Sequence, residues 1–435
     1  MMRVSEIMLT RMAIHLAILF LVSNISILSS AGSAVGMNDF ESLPGGDLGL
    51  AGAELSPSKE LVIAFGQDSN VIVFSASNPS DYTETPLIGN SSLNDASFHP
   101  SGNSALIVGD NGTVLRYSDL DKSLTDAGVK NLSGSDLLSV SWSLSGSWAY
   151  IGSSEGEIWR VRASGDGGAE THLLEGLAGE SPVTSIDCIS EGIVCVASTT
   201  FNGIAIIQRD HSLNWIGGSS TPWSDMECLD SSNSCVATSS NILGTIKVNT
   251  SNPDKSTISG VEIIGLEGAL STLSDHSENR FLISMAPFGI VEHDLEKNAT
   301  FPWLENSDVV DENIQLSGER VVSTWSLNEN TGWILTDRGN LASFQTIDGA
   351  GENSIASSIL SVAVLLAILG FAATVMMSVF GWGNDRSSRR LTKRAGHQTV
   401  VERDSLFHTL MRESTARGVR TCHSKLWTST MSTRS

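Results

Sequence analysis

Leu93 to Asp119 reads LNDASFHPSGNSALIVGDNGTVLRYSD, and this stretch decides the fold. Within it, Ala105 to Tyr117 holds two apolar-alternating runs around Asp110-Asn111-Gly112. That tripeptide is a hairpin signal, because both central residues of the favoured tight turn need positive φ and Asn and Gly tolerate it. The next unit, LLSVSWSLSGSWAYIGSSEGEIWRVRA (Leu137 to Ala163), superposes on the first. Phe98 falls on Trp142, Gly102 on Gly146, Ala105 on Ala149 and Gly112 on Gly156.

The same frame runs backwards to LSPSKELVIAFG and forwards through CISEGIVC, CLDSSNSC, LSDHSENRFLI and WSLNENTGWIL. The anchors Leu55, Phe98, Trp142, Cys188, Cys228, Leu273 and Trp325 stand 43, 44, 46, 40, 45 and 52 residues apart. Glycine recurs at or near the turn position in Gly156, Gly203, Gly244, Gly289 and Gly339, with Asn70 in the first unit. Each unit reads as short strands, since runs rich in Val, Ile, Trp and Phe alternate with polar residues between Gly, Asn, Asp and Ser turns. An open sheet of so many strands exposes aggregation-prone edges, whereas radial closure leaves only short protected ones.

Units of the form SFHPSGNSALIVGDNGTVLRY resemble the WD40/BNR-like propeller superfamily, including photosystem-assembly-factor-like repeats, over roughly Leu48 to Asp348. The Trp-Asp dipeptide and the Asp-box pattern of sialidases do not occur, so the resemblance speaks to fold more than to function. It implies a ring with a central channel that binds protein or carbohydrate. The expected fold class is all-β, a seven-bladed β-propeller over 35–348 with a C-terminal transmembrane helix. Residues Met37 to Leu50 are expected to supply the strand that closes the ring.

Two apolar stretches flank the repeats. Arg3 and Arg11 lead into MAIHLAILFLVSNISIL (Met12 to Leu28) and small residues to Ala34, the form of a signal peptide over 1–34. Ile355 to Phe380 carries no charge and is long enough for a tilted membrane span. Arg386, Arg389, Arg390, Lys393 and Arg394 follow it, which keeps the 381–435 tail on the cytoplasmic side. The expected location is therefore a cell membrane, with a single span and the N-terminal domain outside. The linker 349–354 reaches roughly 20 Å at most, so the ring sits close to the bilayer.

Charge divides along the same line. Val35 to Asn353 holds 43 acidic against 13 basic side chains, and the tail from Gly383 holds 4 against 11. A formal charge of −30 repels phosphate backbones and anionic lipid, which excludes nucleic acid as a partner. The expected partner is an unidentified protein or glycan.

The paired cysteines are the sharpest local signal. Cys188 and Cys195, like Cys228 and Cys235, take the positions of Phe98/Ala105 and Trp142/Ala149, which face each other across the first hairpin of a blade. Facing residues of a non-hydrogen-bonded pair lie within disulfide range, so two bonds inside blades are expected, with Cys422 free. A four-thiolate zinc site is the alternative, disfavoured by the spacing.

Catalytic signatures are missing: no His-Glu-x-x-His, phosphate loop or EF-hand series is present, and the single Gly-x-Ser-x-Gly string, Gly152 to Gly156, falls in the turn of a strand repeat with no helix after it to make a nucleophile elbow. No catalytic residue, cofactor or metal is expected, and His99 reads as a satisfied turn residue. Asp95, Asp136 and Asp225 precede innermost strands, and Asp110, Glu155 and Asp337 fall in turns. These six form a candidate acidic rim at one channel mouth, against the plainer reading that Asp suits turns. Asn90, Asn111, Asn131, Asn249 and Asn298 open glycosylation sequons. The sequence thus points to a membrane-tethered binding or scaffolding propeller. A channel-based enzyme of glycosidase or quinoprotein type and a receptor signalling through its tail are the alternatives.

Overall fold

The structure is a computed structural model that describes residues 34–347 except 133, 165–167, 190–193, 230–231, 264–267, 287, 306–315 and 317. The proposed signal peptide apart from Ala34, the linker, membrane span and tail, and Cys422, lie outside the described residues. Among the described residues no helix is long and apolar enough to cross a membrane.

Seven four-stranded antiparallel sheets make up the described part. Each blade begins at the axis. The innermost strands are Leu50–Leu55, Leu93–Phe98, Leu137–Trp142, Val183–Ile189, Asp225–Cys228, Ala269–Ser277 and Val321–Asn328. Each touches the innermost strands of the blades on either side, and Leu50–Leu55 touches Val321–Asn328, which closes the circle. Second strands such as Leu61–Gly66 and Val194–Thr199 are wholly or nearly wholly buried, because both faces meet a neighbouring blade. The core is thus a set of seams between blades. Phe74 packs on Trp325 from blade 1 to blade 7, and Tyr150 joins Val183 and Ile186 from blade 3 to blade 4.

The closing strand is Val35–Ser42, paired antiparallel with Asn340–Thr346 as the outermost strand of blade 7. The expected segment, Met37 to Leu50, was set too late. Pro44 lacks the amide that would extend the ladder, and Gly45 and Gly46 turn at φ 113° and 84°. Leu50 already starts blade 1.

The turn pattern holds at Asn111 (φ 56°), Gly112 (φ 73°), Gly156 (φ 86°), Gly203 (φ 89°) and Gly339 (φ 89°). It fails in three blades. In blade 1 the left-handed residues are Asp68 and Ser69, and Asn70 is extended at φ −68°. In blade 5, Gly244 lies inside Ile242–Lys247, where a Cβ would come within 2.6 Å of the Trp223 ring. Gly289 begins its strand in blade 6. Gly244 is therefore kept by packing rather than by a turn.

Candidate functional site: the central channel

An innermost strand has one edge paired within its blade and one edge facing the axis. The axial edge presents amides and carbonyls with no ladder partner, and confined backbone groups need partners. This sequence answers with a short polar side chain reaching across to the next blade. Asp95 Oδ1 accepts the Ala96 amide at 2.8 Å while Oδ2 accepts the Val140 amide of blade 3 at 2.7 Å. Asp187 does the same for Cys188 and for Cys228 of blade 5, both at 2.7 Å. Asp225 accepts Met226 and, from blade 6, Leu273, both at 2.8 Å. Serine takes the same slot with reversed polarity. Ser139 donates to the Val183 carbonyl at 3.2 Å, Ser185 to that of Met226 at 2.9 Å, and Ser323 to that of Ala53 at 3.0 Å.

Two cavities of about 280 and 300 Å³ occupy the axis and share a polar belt that includes Glu54, Ser97, Ser141, Asp187, Glu227 and Ser323. Asp95 and Asp225 line the end where innermost strands begin, and Asp275 the other. Lys59 is the one basic side chain among the described lining residues. Confinement and mutual repulsion act together on these acids. Burial pushes the Asp95 carboxyl up to about 8, the Val140 and Ala96 amides pull it down, and Asp225 and Asp187 push it further up. Burial lifts Asp225 to about 6 against the amides of Leu273 and Met226. Glu227 is raised well above the ordinary range by burial, then by Asp187, Glu54, Asp225 and Asp275.

Of the six rim candidates, Asp95 and Asp225 therefore sit in the channel wall. The other four lie in connections at the same end. Asp110 accepts Asn94 Nδ2 at 2.9 Å, Asp136 the Asn111 amide at 3.0 Å, and Asp337 the Arg320 amide at 3.0 Å. Glu155 is exposed in its turn. Sequence reading missed Glu54, Asp187, Glu227 and Asp275. A signal for three was present: the residue before each of the first five anchors is Glu54, Ser97, Ser141, Asp187 or Glu227, polar every time.

Both disulfides form inside their blades, Cys188–Cys195 and Cys228–Cys235, each with Cα atoms 3.9 Å apart. The four-thiolate alternative is thereby excluded. Among the described residues no group of His, Cys, Asp or Glu is arranged to hold a metal ion. His99 bonds Ser101 Oγ at 2.8 Å and meets the Gly146 carbonyl at 3.2 Å, joining two blades as a turn residue. Asn90, Asn111, Asn131 and Asn298 are exposed. Asn249 is half-buried, its Oδ1 accepting the amides of Ser251 and Asn252.

No family model matches the chain, and no curated protein matches it. Solved propellers do. The β-propeller domain of Myceliophteria thermophila Cps50 (Swd1) superposes with a TM-score of 0.58 at 10% identity, over 72% of this chain and 100% of that one. A catalytically inactive virginiamycin B lyase from Staphylococcus aureus, solved with quinupristin, gives 0.56 at 12% identity over 72% and 100%. YCF48 bound to D1 peptide gives 0.54 at 12% identity over 73% and 99%. At such identities the likeness is one of fold.

Proposed function

We propose that this chain is a membrane-tethered, extracytoplasmic propeller that binds a protein or glycan partner and carries out no catalysis. One observation carries the reading: three of the channel aspartates are committed to holding the ring. Asp95, Asp187 and Asp225 each use both oxygens on backbone amides of adjacent blades, which is the work of structure. A general acid or nucleophile needs an oxygen free to meet substrate. The surfaces and channel mouths are then the places for recognition, with Glu155 and Asp337 as reachable acids of the rim. The two disulfides support an oxidising compartment, and the uncharged 355–380 run followed by basic residues supports the tether. YCF48 shows that a ring of this fold accepts a peptide.

The test uses the full chain in its native membrane. Protease added from outside should trim the ring and spare the 381–435 tail, and cross-linking from ring positions should yield a discrete partner. A tail digested from outside, or a ring that turns over substrate without a stable partner, overturns the reading.

A further inference from the structure

The outer half of the seam between blades 3 and 4 carries a cluster that breaks the charge pattern of the ring. Trp148 ends the first turn of blade 3, Arg160 and Arg162 lie on Ile158–Ala163, and His172 on Ala169–Leu173. The ladder pairs Tyr150 with Arg160 and Arg160 with His172, so the period of two puts all of them on one sheet face. His211 comes to the same place from blade 4. Arg160 and Arg162 lie over the Trp148 ring at 4.6 and 4.4 Å, while His172 and His211 meet it edge-on at 6.0 and 5.5 Å. In a domain with 13 basic side chains against 43 acidic ones, two arginines over one indole with two imidazoles at its edge make an unusual concentration of hydrogen-bond donors.

The cluster has a paired half and an open half. Glu170 joins Arg162 Nε and His172 Nε2, each at 2.7 Å. Asp210 is turned to the Ser212 hydroxyl and amide. Among the described residues the Arg160 guanidinium has no carboxylate partner, and His211 Nε2 has no hydrogen bond. His211 is nevertheless held in place. The hydroxyl of Tyr150, a residue 3% exposed, meets its Nδ1 at 2.8 Å. With the phenol donating, the neutral imidazole keeps its proton on Nε2 and presents it as a donor. Burial and then the charge of Arg160 lower the His211 pKa, which favours the neutral imidazole. A rigid donor thus stands beside a guanidinium fork fixed on an aromatic ring.

We infer that Arg160 and His211, set around Trp148 in the seam between blades 3 and 4, form a binding site for a carboxylate of an acidic peptide segment on a protein partner. This rests on the reading of the ring as a binding module. A guanidinium fork matches a carboxylate bidentately, and a planar Arg on an aromatic ring loses little freedom on binding. A sugar ring would need an open indole face, and here two guanidiniums stack on the indole with two imidazoles at its edge. The site lies at the end where first-to-second strand turns occur, opposite the acidic rim, so the rim does not repel the ligand.

The experiment measures binding of a fluorescein-labelled oligoglutamate peptide to the full chain, with polygalacturonate as competitor. The wild type should bind saturably. Arg160→Gln and His211→Phe should each weaken binding about tenfold or more, and Arg160→Lys should fall between because it keeps charge and loses the fork. Arg116→Gln on blade 2 removes an equal charge elsewhere and should leave binding within about twofold. Absence of saturable binding by the wild type, equal loss in Arg116→Gln, or binding of polygalacturonate in place of the peptide overturns the inference. A chain that cross-links a partner yet ignores oligoglutamate retains its role as a binding module and loses this site. Unchanged circular dichroism and melting of Arg160→Gln separate lost binding from lost fold.

Discussion

At the residue scale, the channel acids and the buried histidines pull stability in opposite directions with pH. Asp95 titrates at about 8 in the folded ring against 3.8 in the unfolded chain. The folded state then binds more protons between those values, so the Asp95 contribution is fully present below about 4 and is lost as pH rises toward 8. His276 behaves in reverse. Burial lowers it to about 4 from 6.5, so its neutral form favours the fold above 6.5 and that favour disappears as pH falls toward 4. From pH 6.5 to 8 the decline due to Asp95 is therefore unopposed by His276. Urea midpoints of the wild type should fall over that range, and Asp95→Asn should flatten the slope without abolishing it, since Glu227 is raised as well. An equal slope in the variant would show that Asp95 is ionised throughout. Asn also loses one acceptor toward Val140, so the variant should be less stable at pH 5.

At the element scale, the first hairpin is the unit on which blades vary. Blades 2 and 3 close it with Phe98/Ala105 and Trp142/Ala149, and blades 4 and 5 use cystine at the same pairs. The substitution suits blades whose facing positions otherwise need a large aromatic ring against a methyl group. Cross-linking residues 7 apart restricts the unfolded chain, an effect of about 2.5 kcal/mol by loop-closure entropy. Replacing Cys188 and Cys195 together by Ala should cost roughly that amount plus the lost packing, seen as a lower denaturant midpoint. Non-reducing peptide maps of the wild type should contain both cystine hairpins. A Cys188–Cys228 peptide would refute the blade register.

At the scale of the whole ring, closure depends on one strand from the start of the repeats. Val35–Ser42 covers the outer edge of Asn340–Thr346, with Val35 buried beside Phe344, Ile334 and Trp303. Deleting residues 35–42 leaves blade 7 with three strands and exposes an edge. The shortened chain should melt earlier, unfold over a wider range and aggregate at concentrations the wild type tolerates. A midpoint unchanged by the deletion would mean that the seams alone hold the ring. The repeat period, the hairpin at Asp110-Asn111-Gly112 and the cystine pairs were legible in the sequence, because each follows from local spacing or from the alternation of a strand. Blade number followed from counting anchors. The roles of Asp187 and Glu227 did not, since a carboxylate before an apolar anchor reads equally well as solvated surface. Nor did the meeting of Trp148 and Arg160 with His211, 63 residues away from Trp148 in the chain. Those contacts exist because ring closure stands seven strand edges around one axis and sets neighbouring blades face to face, and period and composition within one unit hold no record of what the next unit brings against it.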